Sequence, residues 1–175
     1  MRDSCGAILY TYDLNGVLGI ILGEEGNKWF PFKGCVKKGE SFEETAIREI
    51  KEETCGLLCL DNISLEHKFS SKRKNYYIGL CYAPYNIIED FDNKIKLETR
   101  MDYKEKKRLK FFPINIAILY NNDIHSITKS SIEFYWNKLL YLNNKNINKM
   151  TRYHGITYSY IKYIYNKNTW RSNNK

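Results

Sequence analysis

The stretch Gly34–Leu57 reads GCVKKGESFEETAIREIKEETCGL, and the rest of the chain is read from it. Gly34 and Gly39 bound a loop. Ser41 stands where a helix N-cap belongs, and Glu44, three residues on, completes a capping box. A helix is predicted from there to about Thr54, with Gly56 as its stop. At about 100° per residue, Phe42, Ala46 and Ile50 share one sector, which must face a core. Glu49 and Glu53 fall in or beside that sector, and Glu52 flanks it. Their i, i+3, i+4 spacing makes the three carboxylates converge on one surface. Clustered carboxylates repel one another and lose hydration at a core edge. Arg48 offers one compensation, by pairing with a neighbouring carboxylate and fixing its rotamer. A divalent cation offers a larger one, and hard oxygen donors suit Mg²⁺ or Mn²⁺. The bland alternative is a solvated acidic face paired to Lys51 and Arg48. Placement beside Phe42, Ala46 and Ile50 argues against it.

Outward from this helix, β-rich runs precede and follow. Cys5–Tyr12 and Val17–Leu22 flank the turn Asp13-Leu14-Asn15-Gly16. Lys28–Phe32 is a third run, with Pro31 marking an edge or strand end. Ile63–Phe69 and Tyr76–Tyr82 are further strand candidates joined by a basic turn containing Arg73 and Lys74. Tyr85–Tyr103 reads as irregular and acidic, and Leu109–Ile114 as another strand. Ser131–Leu142 has helical periodicity through Ile132, Tyr135, Trp136, Leu139 and Leu142. Asn143–Thr151 reads as a polar linker, and Ile156–Tyr165 as a second helix or strand. The expected division is a domain over 1–142 and a basic, aromatic-rich extension over 143–175.

Composition narrows the class. The chain has 175 residues, 43% hydrophobic and 15% aromatic, enough for a core and against general disorder. No apolar run approaches the roughly 20 residues of a membrane span, so no membrane partner is expected. The N-terminus lacks the apolar stretch of a signal peptide. Five cysteines without paired spacing do not form a disulfide framework, and Cys55 and Cys59 lack partners for a zinc site. A reducing compartment is therefore expected, cytoplasmic or nuclear. His67, His125 and His154 are scattered and suit structural roles rather than nucleophilic catalysis.

The net charge of +8 is unevenly placed. After Glu133 there is no acid, while eight bases remain, so the chain up to Glu133 is neutral. Two readings stand side by side: compositional drift towards Asn, Lys, Ile and Tyr, which accounts for the lysines more directly than for the missing acids, and a polyanionic partner for the C-terminal part.

The helix and its loop resemble the Nudix box, G-x5-E-x7-R-E-U-x-E-E-x-G-U with U aliphatic. Gly34, Glu40, Arg48, Glu49, Ile50, Glu52 and Glu53 match at the right spacing. Trp29-Phe30-Pro31-Phe32-Lys33-Gly34 resembles the W-x-P-x-K-G variant that precedes the box in several members. The departure is Cys55 where the pattern has glycine; the glycine follows as Gly56, which reads as a shifted helix cap. The resemblance implies an α/β/α sandwich around a mixed β-sheet, with the box helix on one side; it does not cover the last sixty residues, where the residues themselves predict a C-terminal helix on the other side and a basic C-terminal helical extension.

It also implies a metal-dependent hydrolase of nucleoside-diphosphate-linked substrates, in which water attacks phosphorus. Glu49, Glu52 and Glu53 match the metal-binding carboxylates, and the Gly34 carbonyl a further ligand. One of these acids, or one from another loop, is the general base. Arg48 matches the residue that orients the catalytic glutamate, and Glu40 a supporting acid. Glu105, ahead of Phe112-Pro113, resembles a further carboxylate drawn from the loop before the last strand; Asp102 and Glu98 are alternatives, and a solvated partner of Lys104, Lys106, Lys107 or Arg108 is the bland reading. Lys33, Glu40, Arg73 and Lys74 are the candidate substrate-binding residues.

Three polyanionic substrates fit: the 5′ cap of messenger RNA, dinucleoside polyphosphates and diphosphoinositol polyphosphates. The acid-free tail interleaves Tyr153, Tyr158, Tyr160, Tyr163, Tyr165 and Trp170 with Lys and Arg, which suits single-stranded RNA. That favours cap hydrolysis, although the same residues would also serve as the inner face of a docked helix. A catalytically silent Nudix fold that binds RNA is the reading from another class. The intact acidic set argues against it.

Overall fold

The computed structural model describes residues 2–71 and 74–154, with the side chains of 146–154 left aside. Seven strands form one mixed sheet: β1 (Arg2–Tyr12), β2 (Leu18–Glu25), β3 (Lys28–Phe30), β4 (Phe32–Cys35), β5 (His67–Ser70), β6 (Lys74–Tyr82) and β7 (Leu109–Pro113). The order is β3-β2-β1-β6-β5, with β4 also on β1 and β7 on β2. The β1–β6 pair is parallel and the other pairs are antiparallel. Pro31, lacking an amide hydrogen, separates β3 from β4, so the chain leaves β2 and joins the opening half of β1. Gly34 thereby pairs with Cys5.

Alternation along the strands builds two cores. Ile8, Leu18, Ile20, Leu22 and Ile78 point to one face, against Ile127, Ile132, Tyr135 and Leu139 of α4 (Ser126–His154). Ala7, Leu9, Ile21 and Phe32 point to the other, against Ile50 of α1 (Phe42–Glu53) and Ile87 and Phe91 of α2 (Ile87–Lys94). A short α3 (Ala117–Tyr120) leads into α4. Both faces are covered, giving the expected α/β/α sandwich. Tyr135 fastens α4 down by donating its hydroxyl to Ile78 O at 2.7 Å.

Several expectations are corrected. Tyr85–Tyr103 contains α2 and a 3₁₀ turn at Met101–Lys104. The apolar positions Ile87, Ile88, Phe91 and Ile95 are at helical spacing, and the acidic residues between them face solvent. The C-terminal helix begins at Ser126, and its backbone continues through Asn143–Thr151, which is therefore not an irregular linker. Strand pairing downstream of the box helix starts only at His67. The Ile156–Tyr165 element, the aromatic tail beyond Tyr153 and Arg73 lie outside the described residues. All five cysteines are free. Among the described residues no helix is long and apolar enough to cross a membrane.

Candidate active site

Local sequence sets α1 in place at both ends. Ser41 Oγ accepts from Glu44 N at 3.1 Å, and Glu44 Oε2 accepts from Ser41 N at 2.7 Å, the reciprocal capping box. At the other end Gly56 N donates to Lys51 O at 2.6 Å and Cys55 N to Glu52 O at 3.0 Å. These two bonds make a Schellman ending with Cys55 at its left-handed position. Cys55 has φ of 54° and Gly56 of 73°. The cap is thus not shifted: Cys55 adopts the conformation that the box pattern assigns to glycine, and its buried thiol lies 3.3 Å from Tyr103 O. Thr45, Ala46, Glu49, Ile50 and Glu53 form the buried side of α1. Phe42, half-buried, packs on Tyr77 with the ring centroids 4.1 Å apart and the planes tilted by 32°.

Arg48 is the hub. Its Nε and Nη2 clamp Glu40 at 2.6 and 3.0 Å, and Nη2 also donates to Cys35 O at 3.1 Å. Its Nη1 binds Glu49 Oε1 at 2.5 Å and Glu52 Oε2 at 2.9 Å. Glu40 also accepts from Thr45 Oγ1 and Lys37 N, so the box loop and helix close on one another. The Arg48 hydrogen bonds, with those from Lys37 N and Thr45, hold the Glu40 carboxyl down at about 2. Burial raises the Glu49 carboxyl, opposed by Arg48 and reinforced by Glu52 and Glu105. The Glu49 carboxylate lies over Gly34, in the space a Cβ there would fill: that atom would be 2.1 Å from Glu49 Cδ.

Glu53 turns inward. It is fully buried; Oε2 accepts from Lys33 N at 2.7 Å, and Oε1 lies 3.0 Å from Lys106 Nζ. The second contact pairs charges without the alignment of a hydrogen bond. Burial pushes the Glu53 carboxyl up to about 7 against the pull of Lys106 and Lys33. Burial works against the Lys106 ammonium, but Glu53 and Glu25 outweigh it and raise its pKa.

The structure thus brings Gly34, Glu40, Arg48, Glu49 and Glu52 together and sets Glu53 behind them. Of the acids proposed on the later loop, Glu105 is exposed and its charge reaches Glu49, whereas Glu98 is consumed by Arg100 through its backbone N, Nε and Nη2. Asp102 lies exposed on the 3₁₀ turn. Lys33 holds its ammonium 5.1 Å from the Phe30 ring centroid, and burial lowers its pKa, with Lys106 adding to the effect. Lys74 Nζ lies 3.8 Å from the exposed Cys35 Sγ, beside Gly34. Lys106 and Glu25 were not singled out from sequence. Lys106 sits in a run of bases with no periodic signal, and only Gly23 opposite marks the room it needs.

Among the described residues, no three acidic, histidine or cysteine side chains are arranged as placed to hold a metal ion, because Arg48 draws two carboxylates and Lys106 the third. The donor set itself fits a hard divalent ion: two carboxylates already converge on one cationic group, and the glycine opposite leaves room.

Carboxylates gathered on one arginine beside a glycine strand end suit a hard divalent ion, the donor set of a metal-dependent hydrolase. The NUDIX domain model matches residues 8–128, and the chain belongs to the Nudix family. It is a pyrophosphohydrolase, and enzymes of this family generally use divalent metals such as Mg²⁺ or Mn²⁺. A mutT/nudix family protein from Listeria innocua shares the fold with a TM-score of 0.58 and 20% identity, over 79% of this chain and 94% of that one. An Ap4A hydrolase from C. elegans, in a binary complex, gives 0.53 and 18%, over 80% and 98%. An ADP compounds hydrolase gives 0.52 and 19%, over 79% and 72%. At these identities the likeness is one of fold. The curated proteins contain no match.

Proposed function

We propose that the chain hydrolyses a phosphoanhydride bond in a nucleoside-diphosphate-linked substrate, with Glu49, Glu52 and the Gly34 carbonyl holding Mg²⁺ or Mn²⁺. The carrying observation is the convergence of Glu49 and Glu52 on Arg48 Nη1 over Gly34. A bound divalent ion would neutralise charge on the bridging and leaving oxygens. Arg48, itself fixed by Glu40, orients Glu49. Glu105 is exposed and close enough to bear on Glu49, and takes the proton of the attacking water. The water oxygen bonds to phosphorus as the bridging oxygen leaves with its electron pair. Lys33 and Lys74 flank the glycine strand end and face the phosphates; Arg73 belongs with them on sequence grounds.

For the substrate we propose the 5′ cap of messenger RNA. The support is the charge of the chain, with eight bases and no acid after Glu133. A dinucleoside polyphosphate is the second reading. It is favoured by the likeness to the C. elegans Ap4A hydrolase. Phosphate-containing products are to be measured from capped RNA, free cap analogue and a dinucleoside polyphosphate, with Mg²⁺ and then Mn²⁺, at two salt concentrations. RNA recognition predicts a preference for long capped RNA that shrinks as salt rises. Equal turnover of capped RNA and cap analogue at both salts removes the RNA reading. A Glu52→Gln variant with unchanged turnover removes the metal reading as well.

A further inference from the structure

Lys106 has a fully buried side chain, and the surrounding chain makes room for it. Lys107 N donates to Glu24 O and Glu24 N to Arg108 O, both at 2.9 Å, fixing the backbone just after it. Gly23 lies against its stem: a Cβ there would sit 2.7 Å from Lys106 Cγ and Cδ. The ammonium reaches Glu53 Oε1 at 3.0 Å and Glu25 Oε2 at 2.9 Å, and lies 5.5 Å from the Phe30 ring centroid. A buried ammonium persists only when its charge is matched, and Glu53 and Glu25 match it. The other oxygen of Glu53 is taken by Lys33 N, one residue before Gly34. One oxygen of Glu53 is thus hydrogen-bonded and the other faces the Lys106 charge without a hydrogen bond, while the hydrogen bonds of Arg48 go to Glu40, Glu49, Glu52 and the Cys35 carbonyl.

We propose that Lys106 is a positioning residue of this site: its ammonium, rather than a metal ion, neutralises Glu53, and the pair anchors the Lys33–Gly34 strand end on which the ion's ligands are built. This rests on the reading of Glu49 and Glu52 as the ion's carboxylates. Glu53 then departs from the metal role that its place in the box implies.

Mn²⁺ binding to the full chain, followed by electron paramagnetic resonance, tests this, with thermal melting as the control for folding. Glu52→Gln is expected to weaken Mn²⁺ binding at least tenfold, and Glu53→Gln to leave it within threefold. Lys106→Met bares the Glu53 carboxylate and should tighten Mn²⁺ binding at least threefold. The double variant Lys106→Met/Glu53→Gln should lose that gain, and Lys106→Arg should bind as the parent does. Glu53→Gln weakening Mn²⁺ as strongly as Glu52→Gln would overturn the proposal, as would a folded Lys106→Met with unchanged affinity. Should Lys106→Met not fold, the Glu53→Gln comparison and Lys106→Arg decide. If Glu52→Gln and Glu53→Gln both leave Mn²⁺ binding intact, it is the metal reading of Glu49 and Glu52 that fails.

Discussion

Replacing Gly34 by alanine should disable the enzyme while leaving it folded. A Cβ at this position would lie 2.1 Å from Glu49 Cδ and Oε1 and 2.2 Å from Oε2. Non-bonded carbon contacts settle at about 3.5–4.0 Å, so one partner must move by roughly 1.5 Å. The backbone of residue 34 is paired with Cys5 inside the sheet and resists. The Glu49 carboxylate, at the tip of a flexible side chain, yields instead and leaves Arg48 Nη1. Misplacing a reacting group by about 1 Å costs on the order of 10²-fold in rate, or about 2.7 kcal/mol of barrier. Stability should change by no more than about 1–2 kcal/mol, because a lost charge-assisted hydrogen bond is partly offset by alanine's advantage over glycine in a strand. Steady-state kcat with Mg²⁺, Mn²⁺ affinity and the melting temperature read the three consequences separately. A folded Gly34→Ala variant with kcat within threefold of the parent would refute the claim that the carboxylate needs this space.

Three other perturbations probe separate parts. Cys55→Gly should be more stable than Cys55→Ala by about 1 kcal/mol, because both lose the thiol but only alanine keeps a Cβ in the left-handed region; paired chemical denaturation decides, and equal midpoints would show that the helix ending carries no strain. With Arg48 holding its carboxyl at about 2, below the usual 4.5, Glu40 stabilises the fold in full above pH 4.5 and ceases to as pH falls through about 2. Melting temperatures across that acid range should therefore fall less steeply for Glu40→Gln than for the parent. Tyr135→Phe leaves Ile78 O short of its 2.7 Å hydrogen bond in the α4-side core, which should cost about 1–2 kcal/mol and lower the melting temperature by roughly 2–8 °C. An unchanged melt would mean that α4 is held by apolar packing alone.

What the sequence by itself determined is what depends on residues close together along the chain. Ser41 and Glu44 mark the start of α1 because a capping box is made within four residues. The buried side of α1 was legible because an angle of about 100° per residue is a property of any helix. The runs around Cys5–Tyr12, Val17–Leu22 and Tyr76–Tyr82 announced strands through β-branched and aromatic content. The α2 helix was equally present in the spacing of Ile87, Ile88, Phe91 and Ile95, but the acids among them masked it. Only the tertiary structure decided which carboxylate faces which cation. Glu49, Glu52 and Glu53 look alike in the box, yet the first two meet Arg48 and the third meets Lys106 on a distant loop. That choice depends on β2 and β7 pairing so that Gly23 leaves room beneath the Lys106 stem. A helix's own spacing fixes where its side chains point, whereas the charge waiting there comes from whatever strand the fold lays alongside.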